Sequence, residues 1–169
     1  MYSYKNQKKT QTRLKAKHPD AKAYALKLLS YRSRSKKEVI QKLKEKGFDT
    51  QEIDRVVDFL EGAGFIKDEA LAASLLRNAV ERKYLGRKGI KMLFARRGIE
   101  KELADETLSA LTNDTEYESA MRLMEKKIKT LGNYHSVSSD IIKQKLWRML
   151  VRKGFSGDVI NSVLKSINL

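Results

Sequence analysis

Apolar residues recur along this chain at three- and four-residue spacings, the mark of helices that each bury one face. The pattern itself repeats. Val39 and Leu43, Ile90 and Phe94, and Leu146 and Leu150 stand eight and four residues before a glycine set between a basic and an apolar residue: Lys46-Gly47-Phe48, Arg97-Gly98-Ile99 and Lys153-Gly154-Phe155. These glycines are 51 and 56 residues apart (98 − 47 and 154 − 98). Ten and thirteen residues beyond each, apolar positions return as Val57 and Leu60, Leu108 and Leu111, and Leu164 and Ile167, a second stripe on a second helix. Upstream, an Ala-x-x-Leu followed by Leu or Met opens each unit, at Ala25/Leu28/Leu29, Ala72/Leu75/Leu76 and Ala120/Leu123/Met124. A fixed period carrying three stripes predicts an all-α fold of three tandem three-helix repeats.

Turn chemistry agrees with this reading. A glycine after a basic residue suits the left-handed residue that closes a helix, where a Cβ is costly and a cation favours the carbonyl end. Ser35-x-x-Glu38 and Asp49-x-x-Glu52 resemble capping boxes, and Asp68 and Asp140 are expected as N-caps. Helices are predicted at 20–31, 35–46, 50–62, 68–82, 87–97, 100–111, 115–130, 139–153 and 157–167. The repeats then span 20–63, 64–112 and 113–169 behind a basic, flexible tail at 1–19. Length is added between the first and second helices of the later units, at 83–88 and 131–139, so exposed loops are expected there. Short joints between units imply an elongated arrangement free to curve.

Composition narrows the function class. Lys and Arg number 36 against 21 Asp and Glu, a formal charge of +15, which draws polyanions or acidic protein surfaces. Cysteine is absent, which removes disulfides, thiolate metal sites and cysteine nucleophiles, and the two histidines, His18 and His135, are far apart. Neither a metal nor a cofactor is expected. The polar start of the chain and the lack of an apolar run of about 18 residues argue against a signal peptide or a membrane span, and a cytoplasmic, monomeric protein is the expectation. Gly86-Arg87-Lys88-Gly89 lacks the spacing of a phosphate-binding P-loop, and His135 with Ser136, Ser138 and Ser139 forms only a polar loop cluster. No enzyme is predicted.

The charge is unevenly placed. Each second helix is basic and the third helices of the first two units are acidic, carrying Glu52, Asp54, Asp58 and Glu61, then Glu100, Glu102, Asp105 and Glu106. Lys36, Lys37, Lys42 and Lys44 in the first unit, Arg87, Lys88, Lys91, Arg96 and Arg97 in the second, and Lys143, Lys145, Arg148, Arg152 and Lys153 in the third are the candidate binding residues. Aligned on one face they would form a stripe suited to a phosphate backbone or an acidic groove. The competing reading is that each basic helix merely pairs with its acidic neighbour. Tyr84 and Tyr134, in the loops, are candidate stacking residues; Phe94 lies on a repeat stripe and is assigned to the core.

These residues resemble the RecX family, bacterial regulators of the RecA recombinase, over nearly the whole chain from Ala21 onward. The likeness rests on Ser33-Arg34-Ser35-Lys36-Lys37-Glu38 leading to Leu43 and Lys46-Gly47-Phe48, on Gly64-Phe65-Ile66-Lys67-Asp68 followed by Leu71-Ala72, on Gly86 to Ile90 with Arg97-Gly98-Ile99, and on Leu150 to Phe155. Lys67 stands where the family has an acid, Leu71 where it has a phenylalanine, and Leu93 where an acid is common. The resemblance implies a protein that lies in the helical groove of a RecA filament on single- or double-stranded DNA and modulates, most often inhibits, its assembly, strand exchange and ATP hydrolysis. Short helices joined by tight turns also suit a stand-alone DNA-binding protein acting through its basic helices. The long, variable loops ahead of the second helices weigh against that alternative.

Overall fold

The computed structural model describes residues 20–131 and 138–167, which form nine helices. They are α1 (Ala21–Tyr31), α2 (Lys36–Lys46), α3 (Thr50–Gly62), α4 (Asp68–Glu81), α5 (Arg87–Arg96), α6 (Lys101–Ser109), α7 (Asn113–Leu131), α8 (Ser139–Lys153) and α9 (Gly157–Lys165). Tyr134 and the tail at 1–19 lie outside the described residues.

Three apolar clusters hold the chain, each built mainly from three consecutive helices. Ala25, Val39, Leu43, Ile53 and Leu60 centre the first, Ala72, Ile90, Phe94 and Leu108 the second, and Ala120, Leu146, Leu150 and Ile160 the third. Ala25, Ala72 and Ala120, at the same place in each unit, are all fully buried, so the first helix can approach its partners closely. Burying each large aliphatic side chain contributes roughly 1.5–3 kcal/mol. Phe94 is fully buried, as its place on the stripe predicts.

The three turn glycines are left-handed, with φ of 93° at Gly47, 68° at Gly98 and 82° at Gly154. The residue after each folds back over the turn, and the N–H groups of Phe48, Ile99 and Phe155 donate to the carbonyls of Leu43, Phe94 and Leu150. Ser35 and Glu38 form the full capping box, and Asp49 accepts from the Glu52 N–H.

Two expected caps are corrected. The N-cap of α4 is Lys67, which makes no side-chain cap, and that of α8 is Ser138, whose hydroxyl accepts from the Asp140 N–H. Asp68 is one residue inside α4, and its carboxylate accepts instead from the Lys36 N–H at the start of α2, 3.0 Å away. The segment at 83–88 is likewise no free loop. Gly86 is buried and Leu85 half-buried, because this stretch is docked against the end of α8.

Candidate functional surface

The second helices meet end to end. The Gly86 and Lys88 N–H groups, at the start of α5, donate to the carbonyls of Lys153 and Gly154 at the end of α8, at 3.1 and 3.0 Å. A Cβ on Gly86, Gly89 or Gly154 would overlap backbone of the facing helix end, so only glycine permits the approach. The Lys153 ammonium crosses to the Lys83 carbonyl at 2.7 Å. At the other end of α5, the Arg97 guanidinium donates to the Ser33 carbonyl at 2.8 Å, and a Cβ on Gly98 would lie 2.9 Å from the Ser35 hydroxyl at the start of α2. Thus α8 leads into α5 and α5 into α2, each carbonyl end facing an amide end, which is the favourable order for helix dipoles.

Acids from the next unit complete both junctions. Glu116, 2% exposed on α7, accepts from the Arg87 N–H at 2.9 Å, just as Asp68 on α4 serves Lys36. Lys36 and Arg87 both stand eleven residues before their turn glycine, and Asp68 and Glu116 both stand four before the aligned alanine. One geometric device is therefore used twice. Arg87 is fixed further by donating to the carbonyls of Leu108 and Leu111.

Around the first junction Glu38 lies between Arg32, at 2.8 Å, and Arg97, at 3.1 Å. Burial pushes its carboxyl upward, but hydrogen bonds from Arg32, Arg97 and the Ser35 N–H outweigh this and hold it below the usual carboxylate value. Asp68 goes the other way. Burial raises it despite the Lys36 N–H, and Glu69, Glu61 and Glu100 add like charge.

The fourteen candidate cations therefore divide. Arg87, Arg97 and Lys153 are junction residues. Lys36 pairs with Glu61 at 2.9 Å, Lys91 with Asp105 at 2.8 Å and Lys42 with Glu45, the first two being the basic-to-acidic helix pairing weighed from sequence. Lys37, Lys44, Lys88, Arg96, Arg148 and Arg152 are exposed and make no ion pair among the described residues. Lys143 is half-exposed, and Lys145 is exposed on α8. Tyr84 does not stand clear of the fold: it is half-buried on the third cluster, with the Lys126 ammonium 5.8 Å from its ring centre. On the second helices the aromatic residue that reaches solvent is Trp147, 47% exposed; Tyr31, Phe59 and Phe65 are exposed elsewhere among the described residues. The place of Trp147 one residue off the core stripe is the only sequence signal for it.

Comparison with known proteins fits this geometry. Residues 21–60 match the family model for the first three-helix domain of RecX, and residues 114–164 match that for the third. The regulatory protein RecX of Clostridioides difficile (strain 630) is 33% identical over 147 residues, covering 87% of this chain and 68% of that protein. The chain belongs to the RecX family. RecX of Bacillus licheniformis is 38% identical over 144 residues, covering 83% of this chain and 52% of its own length. The crystal structure of RecX from Lactobacillus salivarius superimposes with a TM-score of 0.73 at 28% identity, over 88% of this chain and 94% of that one. The RecX relatives are named regulatory proteins. Among the described residues no three His, Cys, Asp or Glu side chains are placed to hold a metal ion, and no helix is long and apolar enough to cross a membrane.

Proposed function

We propose that this RecX-family chain binds the RecA–DNA filament and inhibits it, lowering ATP hydrolysis and strand exchange by occupying the filament groove. The observation that carries the reading is the end-to-end line of α8, α5 and α2. It sets exposed cations that make no ion pair among the described residues at related positions in successive units: Lys37 and Lys88 ten residues before the turn glycine, and Arg96 and Arg152 two before it. A row of positive faces suits a partner that is itself a repeating, negatively charged polymer.

The test is cosedimentation with RecA filaments on single-stranded DNA, with RecA's ATPase followed in parallel. Binding with slowed hydrolysis is expected, and absence of both at moderate salt rejects the proposal. Reversing Lys37, Lys88, Arg96, Arg148 and Arg152 to glutamate should weaken binding far more than reversing Lys5, Lys8 and Lys9. Equal losses would mean that net charge alone matters. Titrating DNA without RecA across a salt series separates the stand-alone alternative, which requires strong binding and sequence preference with little effect on RecA.

A further inference from the structure

The outer faces of the three second helices are not alike. In α8, Leu146 and Leu150 are buried, while Ile141, Trp147 and Val151 on the same helix are 49%, 47% and 43% exposed. At about 100° per residue, Trp147 and Val151 occupy one shoulder of the solvent face, Arg148 its centre beside Ile141, and Arg152 the other shoulder. The positions equivalent to Trp147 and Val151, seven and three before the turn glycine, are Ile40 and Lys44 in α2 and Lys91 and Ala95 in α5. Ile40 is half-buried against the first cluster. Met92, 67% exposed, puts one apolar side chain beside the cations of α5, but α8 alone turns three large apolar side chains, one of them aromatic, outward together with its cations. Residues 141–153 contain no acid.

We infer that the outer face of α8 docks a protein segment bearing both acidic and apolar side chains, contributed by the filament protein rather than by DNA. The inference rests on the filament reading above and assigns one part of that contact. Charge complementarity selects an acidic partner, since Arg148 and Arg152 form no ion pair among the described residues. The aliphatic side chains select protein over nucleic acid, because Ile141 and Val151 gain nothing from phosphates and offer no flat ring to a base. From Ile141 to Val151 the face runs about 15 Å at 1.5 Å per residue, the span of two to three turns of an amphipathic helix laid against it. Contact there should resist salt, whereas the lysine-rich face of α2 should let go as salt rises.

Trp147 is the sole tryptophan of this chain, so once the emission of the filament alone is subtracted the signal reports on this face. On adding RecA filaments on single-stranded DNA, the emission should shift to the blue and become protected from acrylamide, with little change on single-stranded DNA alone. The double variant Trp147→Ala/Val151→Ser should lose about tenfold in filament affinity, a loss that persists at high salt, while its melting temperature stays near that of the parent because both side chains are exposed. Arg148→Glu, which leaves every apolar group in place, should weaken binding in the same direction. Cosedimentation with unchanged emission and unchanged affinity of the variants overturns the docking face and leaves the filament reading standing. Equal quenching by DNA alone overturns it in favour of base stacking. Failure of the parent chain to cosediment removes both.

Discussion

Between the second and third units, two helix ends touch backbone to backbone, with Gly86, Gly89 and Gly154 clearing the way and Glu116 buried beside them. Between the first and second units, side chains fill the corresponding space: Ser35 and Glu38 from the first unit, Asp68 and Arg97 from the second. The ion pair here is 14% exposed at Glu38 and 21% at Arg97, so water and salt reach it. The difference teaches that one repeated register can be locked by shape or by charge. Shape gives a joint held chiefly by steric fit, with its one carboxylate shielded from water, and charge gives one that salt and pH can loosen more readily.

The largest expected effect comes from Gly154→Ala, which adds the left-handed backbone penalty to an overlap with Gly89 and should cost about 3 kcal/mol in urea unfolding. Gly47→Ala is its control: φ is 93° but nothing stands within 4 Å of the added Cβ, so only the backbone penalty of about 1 kcal/mol is expected. If the two variants melt alike, the glycine-locked joint contributes nothing. Next comes Glu116→Ala. It strands the Arg87 N–H in a buried setting and should cost about 2 kcal/mol, with native-state hydrogen exchange speeding at the start of α5.

Smaller still is Glu38→Gln, expected to cost about 1 kcal/mol and to act through the first joint. Because the Glu38 carboxyl is depressed when folded, its contribution is complete above the ordinary value of 4.5 and disappears as pH falls through the lower folded value. The parent should therefore lose stability relative to the glutamine variant over that acid window, and parallel pH curves would contradict the sign. Asp68 has the opposite slope. Its folded value is raised above 3.8, so ionisation disfavours the fold once pH climbs past both values, and Asp68→Asn should be neutral or mildly stabilising near pH 7. Smallest of all, Lys91→Ala should leave the urea midpoint unchanged within measurement error, its partner Asp105 being about as exposed as itself.

Much of the fold could be read from the chain because its determinants are local. A glycine after a basic residue, stripes at eight and four before it, and alanines at one place in each first helix place the helices and pick out Phe94 as core. The fate of the cations could not be read so directly. Arg87 and Lys88 are neighbours of the same sign, yet Arg87 is fastened to the Leu108 and Leu111 carbonyls and Glu116, while Lys88 points to solvent. That division depends on an acid 29 residues away in the next unit. The clue was present in the common offset of Asp68 and Glu116, but it acquires meaning only once the helices are known to meet end to end. Asp68 was misread as the cap of its own helix for the same reason.

The glycine pair at the second joint also works as an address. Twelve and nine residues before the turn glycine, α5 carries Gly86 and Gly89, α2 carries Ser35 and Glu38, and α8 carries Ile142 and Lys145. The first pair admits a bare helix end, the second accepts a guanidinium with its helix end, and the third bears side chains where a neighbour's carbonyls would have to lie. Two letters per unit thus specify which end may dock where, so the order of the units is written into the helices that also carry the outward charge. A chain with its units shuffled would keep its composition and its three cores but lose its line.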